Sequence, residues 1–272
     1  MKVNFIIAGS QKCGTTALFD FLTKHPKVIG STPKEVDFFN YNLQYDKGVK
    51  FYHSHFKEKL LFSSIRGYNY VEASPSYMND GDIENTGRRM YDYNKKIKII
   101  ILVRNPIDRA FSAWNMYRNL YNREGNTKWW FDWVEKRNGF KFDALKREEK
   151  EFEDFYSFVN NEIEAIEMNR KIECSILEQG HYHNGIKAFK EFFGSNVLVM
   201  KNEDLKSNST LGLNQIASFL KLSNIDWSMF EGVQVRMGQY QFKIDDKSKD
   251  LLTSFYKESN TKLFELTGIN YL

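Results

Sequence analysis

Short apolar runs recur along the chain, and most lead through a polar turn into a stretch with helical spacing. Phe5-Ile6-Ile7-Ala8 is the first; after the turn, apolar positions 17, 18, 21 and 22 fall on one helical face. Val28-Ile29 predicts a short second strand, and Asn69 to Ala73 a third that runs into a turn at Ser74-Pro75. The β-branched run Ile97 to Val103 has the composition of a buried parallel strand, and Asn196 to Lys201 reads the same way. Between them, residues 81–96 are polar and charged and predict an outer helix. Asn105 can cap a helix with Pro106 at its first position and Asp108 in its first turn, its stripe formed by Ile107, Ala110, Phe111 and Trp114. Later helices are expected at Phe152, Phe155, Tyr156 and Val159, at Ile186, Phe189, Phe192 and Phe193 with Gly194 as a stop, and through Ile216, Phe219 and Leu220. A terminal amphipathic helix should carry Leu251, Leu252, Phe255, Tyr256, Leu263, Phe264 and Leu266. The alternation points to an α/β protein with a central parallel sheet of about five strands flanked by helices.

The turn after the first strand, Gly9-Ser10-Gln11-Lys12-Cys13-Gly14-Thr15-Thr16, carries the first candidate chemistry. A glycine-bounded loop entering a helix presents successive N–H groups to an anion, so a phosphorylated ligand is expected. A Walker A loop needs Lys directly after its second glycine and a hydroxyl beside it for Mg²⁺. Here that position is Thr15, and the one cation in the loop is Lys12. Lys12 would therefore approach the ligand from another direction, with no obvious need for a metal. The competing reading is a tight βα turn with an incidental lysine.

Charge and composition narrow the partners. The 272 residues are 42% hydrophobic and 16% aromatic, which excludes long disordered tails and suits one large domain. A net charge of +4 is too balanced to indicate nucleic acid, yet compatible with an anionic small molecule or an acidic polymer at a local site. Two cysteines, Cys13 and Cys174, make no disulfide framework; Cys13 beside Lys12 is either a reactive thiol or a small packing residue. His53 and His55 form at most a pair, and without CxxC or HExxH no metal site is expected. The first apolar run is too short for a signal peptide and no later run could span a membrane, so the chain is expected to be soluble and cytoplasmic.

Two further stretches lie where strands should end, the position that lines the ligand crevice of an open α/β sheet. In Lys34-Glu35-Val36-Asp37-Phe38-Phe39, an extended chain would put Glu35 and Asp37 on one side, close enough to push one of the two pKa values upward, as suits a general base. The plain alternative is a solvated acidic loop paired with Lys34. Arg104 ends the fourth strand and Ser112 lies about a turn and a half into the next helix, a guanidinium and hydroxyl suited to a second phosphate; the plain alternative is a structural arginine paired with Asp108. Between 115 and 180, Trp129-Trp130-Phe131-Asp132-Trp133 is either a stacking platform for sugar rings or the packing of a lid.

On these residues the chain resembles the sulfotransferases that use 3′-phosphoadenosine 5′-phosphosulfate (PAPS). Gly9 to Leu18 is similar to their 5′-phosphosulfate loop, and Arg104 to Ser112 to their 3′-phosphate motif. Lys34 to Phe39 and Val71 to Tyr77 are most similar to the heparan-sulfate-type and bacterial carbohydrate branch. The resemblance implies a P-loop-type sheet in a single domain over 1–272, with 115–180 as a helical acceptor-side insertion or lid. It implies catalysis by Lys12 at the bridging oxygen and Glu35 as base, with Gln11, Lys12, Cys13, Gly14, Thr15 and Thr16 around the 5′ group. Arg104 and Ser112, joined by Arg236 and Gly238 from a closing loop, would hold the 3′-phosphate. Acceptor contacts would come from Asp37, Trp129, Trp130, His181 and His183, either histidine being an alternative base. The family usually has Lys where this chain has Ala73, and often His at Asp37. The implied reaction is metal-free O-sulfation of a carbohydrate hydroxyl, leaving adenosine 3′,5′-bisphosphate. The alternatives are a P-loop kinase, which Thr15 disfavours, and a non-catalytic nucleotide- or glycan-binding protein.

Overall fold

A computed structural model describes residues 2–56, 67–78, 81–121, 135–137, 147–172, 175–223, 225–228 and 243–272. These form two compact units, one from residues 1–104 and 184–237 and the other from 105–183 and 238–272.

The first unit contains the sheet. Its strands are β1 (Phe5–Gly9), β2 (Val28–Gly30), β3 (Asn69–Ala73), β4 (Lys98–Val103) and β5 (Val197–Lys201). All neighbours run parallel in the order β2-β3-β1-β4-β5. β1 is buried throughout and β4 from Ile99 to Val103, as continuous apolar runs covered on both faces must be. β5, at the edge, is half-buried over most of its length. Helix α1 (Thr15–Leu22) follows β1; Leu18, Phe21 and Leu22 are buried as its spacing predicts, and Phe19 joins them. Two short helices, α2 (Asn42–Tyr45) and α3 (Gly48–Ser54), precede β3, and α4 (Ile83–Tyr93) covers the polar stretch before β4. Crossing from β1 to β3 on one side and β4 on the other places the end of β1 at the point where strand order reverses, the usual ligand position in such sheets.

The second unit is helical where it is described. Its core joins α5 (Pro106–Tyr121) and α6 (Phe155–Glu167) through Phe111, Trp114, Phe155, Phe158 and Val159, with Leu252 and Tyr256 from the terminal helix Asp246–Thr267. Asn105 caps α5 as expected, accepting from the Ile107 amide at 3.0 Å. Phe152 belongs to a separate 3₁₀ turn, because Asp154 accepts from the Ser157 amide and starts α6 at Phe155; Tyr156 consequently faces outward. Phe264 is likewise exposed on the terminal helix. Glu162 is fully buried and bonded to Arg147 at 2.5 Å, and it also accepts from the Ile176 and Leu177 amides. No described helix is long and apolar enough to cross a membrane.

Candidate active site

The loop from Gly9 to Gly14 is tied to the sheet at its start, where the Ser10 amide donates to the Leu102 carbonyl at 2.8 Å. Lys12 then takes a left-handed backbone (φ 64°), and Gly14 repeats it (φ 90°) as the N-cap of α1. Gly14 is required twice over: its φ favours glycine, and a Cβ there would meet Asn202 Oδ1 at 2.5 Å. A glycine cap has no side chain to offer, so α1 starts without a side-chain cap from its N-cap residue. Ser10 Oγ is buried with no hydrogen-bond partner among the described residues. Burial, and then the Arg104 guanidinium, hold the Lys12 ammonium below its usual range, with Cys13 pulling the other way. Arg104 itself is half-buried, directly beyond β4. An uncapped helix start, an orphaned hydroxyl and two cations together fit a phosphate-bearing ligand. Cys13 is fully buried with its thiol toward the Gln11 carbonyl, which favours the packing reading over a reactive one.

The acidic loop departs from the extended chain expected of it. Asp37 adopts a left-handed backbone (φ 53°), so Glu35 and Asp37 do not share a side: Glu35 is exposed and Asp37 is 1% exposed. The Glu35 carboxylate pairs with Lys34 at 2.7 Å. Asp37 accepts from Ser76 Oγ at 2.6 Å, and its amide donates to Ser74 Oγ at 3.1 Å. Glu72, on β3, has a raised pKa. Burial pushes it up to about 7 and Asp37 adds to the rise, against the pull of hydrogen bonds from Ser74, Tyr52 and Tyr77.

Residues 2–237 match the family model for the sulfotransferase domain. The chain belongs to the sulfotransferase family. Across 97% of its length this sulfotransferase is 27% identical to human heparan sulfate glucosamine 3-O-sulfotransferase 5, covering 71% of that protein. It is 24% identical to the membrane-associated sulfotransferase kil1 of Dictyostelium discoideum, over 98% of this chain and 66% of that one. A mouse bifunctional heparan sulfate N-deacetylase/N-sulfotransferase 4 is 25% identical over 96% of the chain, which spans only 29% of that relative. The fold is that of a sulfotransferase from Alicyclobacillus acidocaldarius, with a TM-score of 0.68 and 23% identity over 100% of this chain and 98% of the other.

The expected residues of this sulfotransferase fall into three groups. Lys12, Gly14, Thr15, Thr16, Glu35, Asp37 and Arg104 all lie in the sheet-bearing unit. Ser112, His181 and His183 lie in the helical unit. Ser112 is buried on α5, and His183 Nδ1 is 3.2 Å from Ser259 Oγ. Burial, then His183, then Arg109 push the His181 imidazole down to about 4, so it is neutral near pH 7. Trp129, Trp130, Arg236 and Gly238 lie outside the described residues. His53 bonds to Tyr93 and His55 to the Thr32 carbonyl, and among the described residues no cluster of His, Cys, Asp or Glu could hold a metal ion. Ser10, Asn202 and Glu72 are site neighbours that the sequence pattern does not single out. Only Glu72 carries a signal there, a carboxyl within a short apolar strand.

Proposed function

We propose that the chain transfers the sulfuryl group of PAPS to a hydroxyl of a carbohydrate acceptor. The observation that carries this reading is the pairing of Lys12 with Arg104 at the uncapped start of α1. Two cations and a helix start without a side-chain cap suit a ligand with phosphate at two places, and the likeness to heparan sulfate sulfotransferases supports a sugar acceptor. Sulfuryl transfer, like phosphoryl transfer, asks the protein chiefly to align the reactants and neutralise developing charge. Glu35 takes the acceptor's hydroxyl proton as that oxygen bonds to sulfur. Lys12 meets the negative charge on the bridging phosphate oxygen, which keeps the electron pair of the broken S–O bond and leaves in adenosine 3′,5′-bisphosphate. The amides of Gly14 to Thr16 hold the 5′ end, and Arg104 with Ser112 the 3′-phosphate, joined by Arg236 and Gly238. Asp37, Trp129, Trp130, His181 and His183 are assigned to the acceptor side.

Calorimetric titration with adenosine 3′,5′-bisphosphate, and separately with ADP and ATP plus Mg²⁺, tests the donor. The expected result is preference for the bisphosphate, lost in Arg104→Ala. Preference for Mg-ATP would overturn the reading in favour of a kinase.

A further inference from the structure

Glu72 sits near the end of β3 with no solvent exposure and accepts three hydrogen bonds. Its two oxygens have different tasks. Oε2 accepts from Tyr52 at 2.6 Å, whereas Oε1 accepts from both Ser74 Oγ at 2.5 Å and Tyr77 OH at 2.7 Å. A hydroxyl has one proton, and Ser74 and Tyr77 give theirs to Glu72, so their lone pairs are turned away from it. Those lone pairs meet three consecutive amides of the acidic loop. Asp37 N donates to Ser74 Oγ at 3.1 Å, and Phe38 N and Phe39 N donate to Tyr77 OH at 2.9 and 3.4 Å. On the other side of Glu35, the Lys34 carbonyl accepts from the Ala73 amide at 3.3 Å and from Ser31 Oγ at 2.9 Å.

We infer that Glu72, acting through Ser74 and Tyr77, is a positioning residue that fixes the backbone on which Glu35 and Asp37 are carried. The role in transfer rests on the sulfotransferase reading; the role in holding the loop does not. Glu35 is exposed at its tip, yet its backbone is bracketed by bonds to β3 and the turn that follows. Asp37 stays in its left-handed conformation because its amide and carboxylate are both engaged, by Ser74 and Ser76. The division of labour also tolerates a change of charge. A proton on Oε2 reverses the bond to Tyr52, whose own hydroxyl hydrogen then gives up that acceptor, and leaves Oε1 accepting from Ser74 and Tyr77. Glutamine can do the same, with its amide nitrogen toward Tyr52 and its carbonyl toward the loop-holding hydroxyls. The ionisable groups facing Glu72 are Tyr52 from α3, Tyr77 from the turn after β3, Asp37 from the loop and Tyr93 from α4.

The test is hydrogen–deuterium exchange resolved to residues 37–39, with transfer from radiolabelled PAPS to heparan sulfate oligosaccharides measured in parallel. The variants are Tyr77→Phe, Ser74→Ala, Glu72→Gln, Glu72→Leu and, as a control, Tyr52→Phe. Tyr77→Phe removes the acceptor of two amides, so exchange at 38–39 should rise about tenfold, and Ser74→Ala should do the same at 37. Tyr52→Phe also breaks a bond to Glu72, but only to Oε2, and should leave residues 37–39 as protected as in the wild type. Glu72→Gln should likewise retain protection, whereas Glu72→Leu leaves both hydroxyls without their acceptor and should raise exchange at 37–39; protection kept in Glu72→Leu would overturn the role of Glu72. In Tyr77→Phe and Ser74→Ala kcat should fall about tenfold or more while affinity for adenosine 3′,5′-bisphosphate is kept, a split that loss of stability alone would not produce. Equal release by Tyr52→Phe and Tyr77→Phe, or unchanged exchange in Tyr77→Phe, would overturn the inference. So would faster exchange with transfer intact. A wild type without transfer would count against the sulfotransferase reading, and the exchange comparison would still decide whether Glu72 holds the loop.

Discussion

Lys12 shows what one side chain can do when burial and a second cation act on it together. Its ammonium is pressed downward in pKa by desolvation and by Arg104, so an incoming anion relieves a cost already present in the fold. Lys12→Ala should therefore lower transfer by about two to three orders of magnitude, as for loss of a donor to developing charge, with a smaller effect on nucleotide affinity than Arg104→Ala. Steady-state rates beside calorimetric affinities check this. Asp37 is governed by backbone as well as charge: at φ 53° with a buried carboxylate, Asp37→Ala should cost about 1–3 kcal/mol. Asp37→Asn should cost less, because asparagine tolerates that conformation and still accepts from Ser76, and urea denaturation of the two variants gives the comparison. The places of Lys12 and Arg104 in the fold are legible in the sequence because a glycine-bounded loop and a strand end define their surroundings locally. Asp37 was misread because alternation of sides holds only for extended chain. Glu72 was passed over because Tyr52, one of the groups that satisfies it, stands 20 positions away.

Elements were more legible than the contacts between them. All five strands stand close to where apolar runs predict, and for β1 and β4 the reason is that a strand covered on both faces has no choice of composition. Their spatial order is another matter, for β2 pairs with β3 rather than with β1, and only the crossovers determine that. The loop between β1 and α1 depends on this order, because β5, at the edge, leads directly into the helix Asn202–Ser207 and so brings Asn202 against Gly14. Gly14→Ala should accordingly do two separable kinds of damage, a left-handed backbone strained by about 1–2 kcal/mol and a clash with the Asn202 side chain. Adding Asn202→Ala should recover the part due to the clash and leave the backbone part. Denaturant midpoints of the single and double variants measure the two; full recovery in the double variant would show that backbone conformation is not what requires glycine.

For the molecule as a whole, the buried Glu72 carboxyl and the half-buried His181 imidazole oppose one another as pH changes. Glu72 has a folded pKa raised to about 7 from 4.5, so between those values the native state holds the proton more tightly than the unfolded chain. Its contribution is therefore fully present below about 4.5 and is lost as pH rises to about 7. His181 is the reverse, with a folded pKa lowered to about 4 from 6.5, so its contribution appears as pH rises through the same range. Each shift corresponds to about 3 kcal/mol at the extreme. His53 and His183, also lowered, act on the side of His181. Glu72 belongs to the sheet-bearing unit and His181 to the helical one, so opposite dependences are built into separate parts of the chain. Replacing Glu72 by Gln should make stability rise more steeply between pH 4.5 and 6.5, whereas His181→Gln should flatten or invert that rise. Urea titrations of the wild type and both variants across this range provide the check. Parallel pH profiles in all three would mean that neither group changes its proton affinity on folding, and that the burial of Glu72 against its three hydroxyl donors is fully offset by their hydrogen bonds.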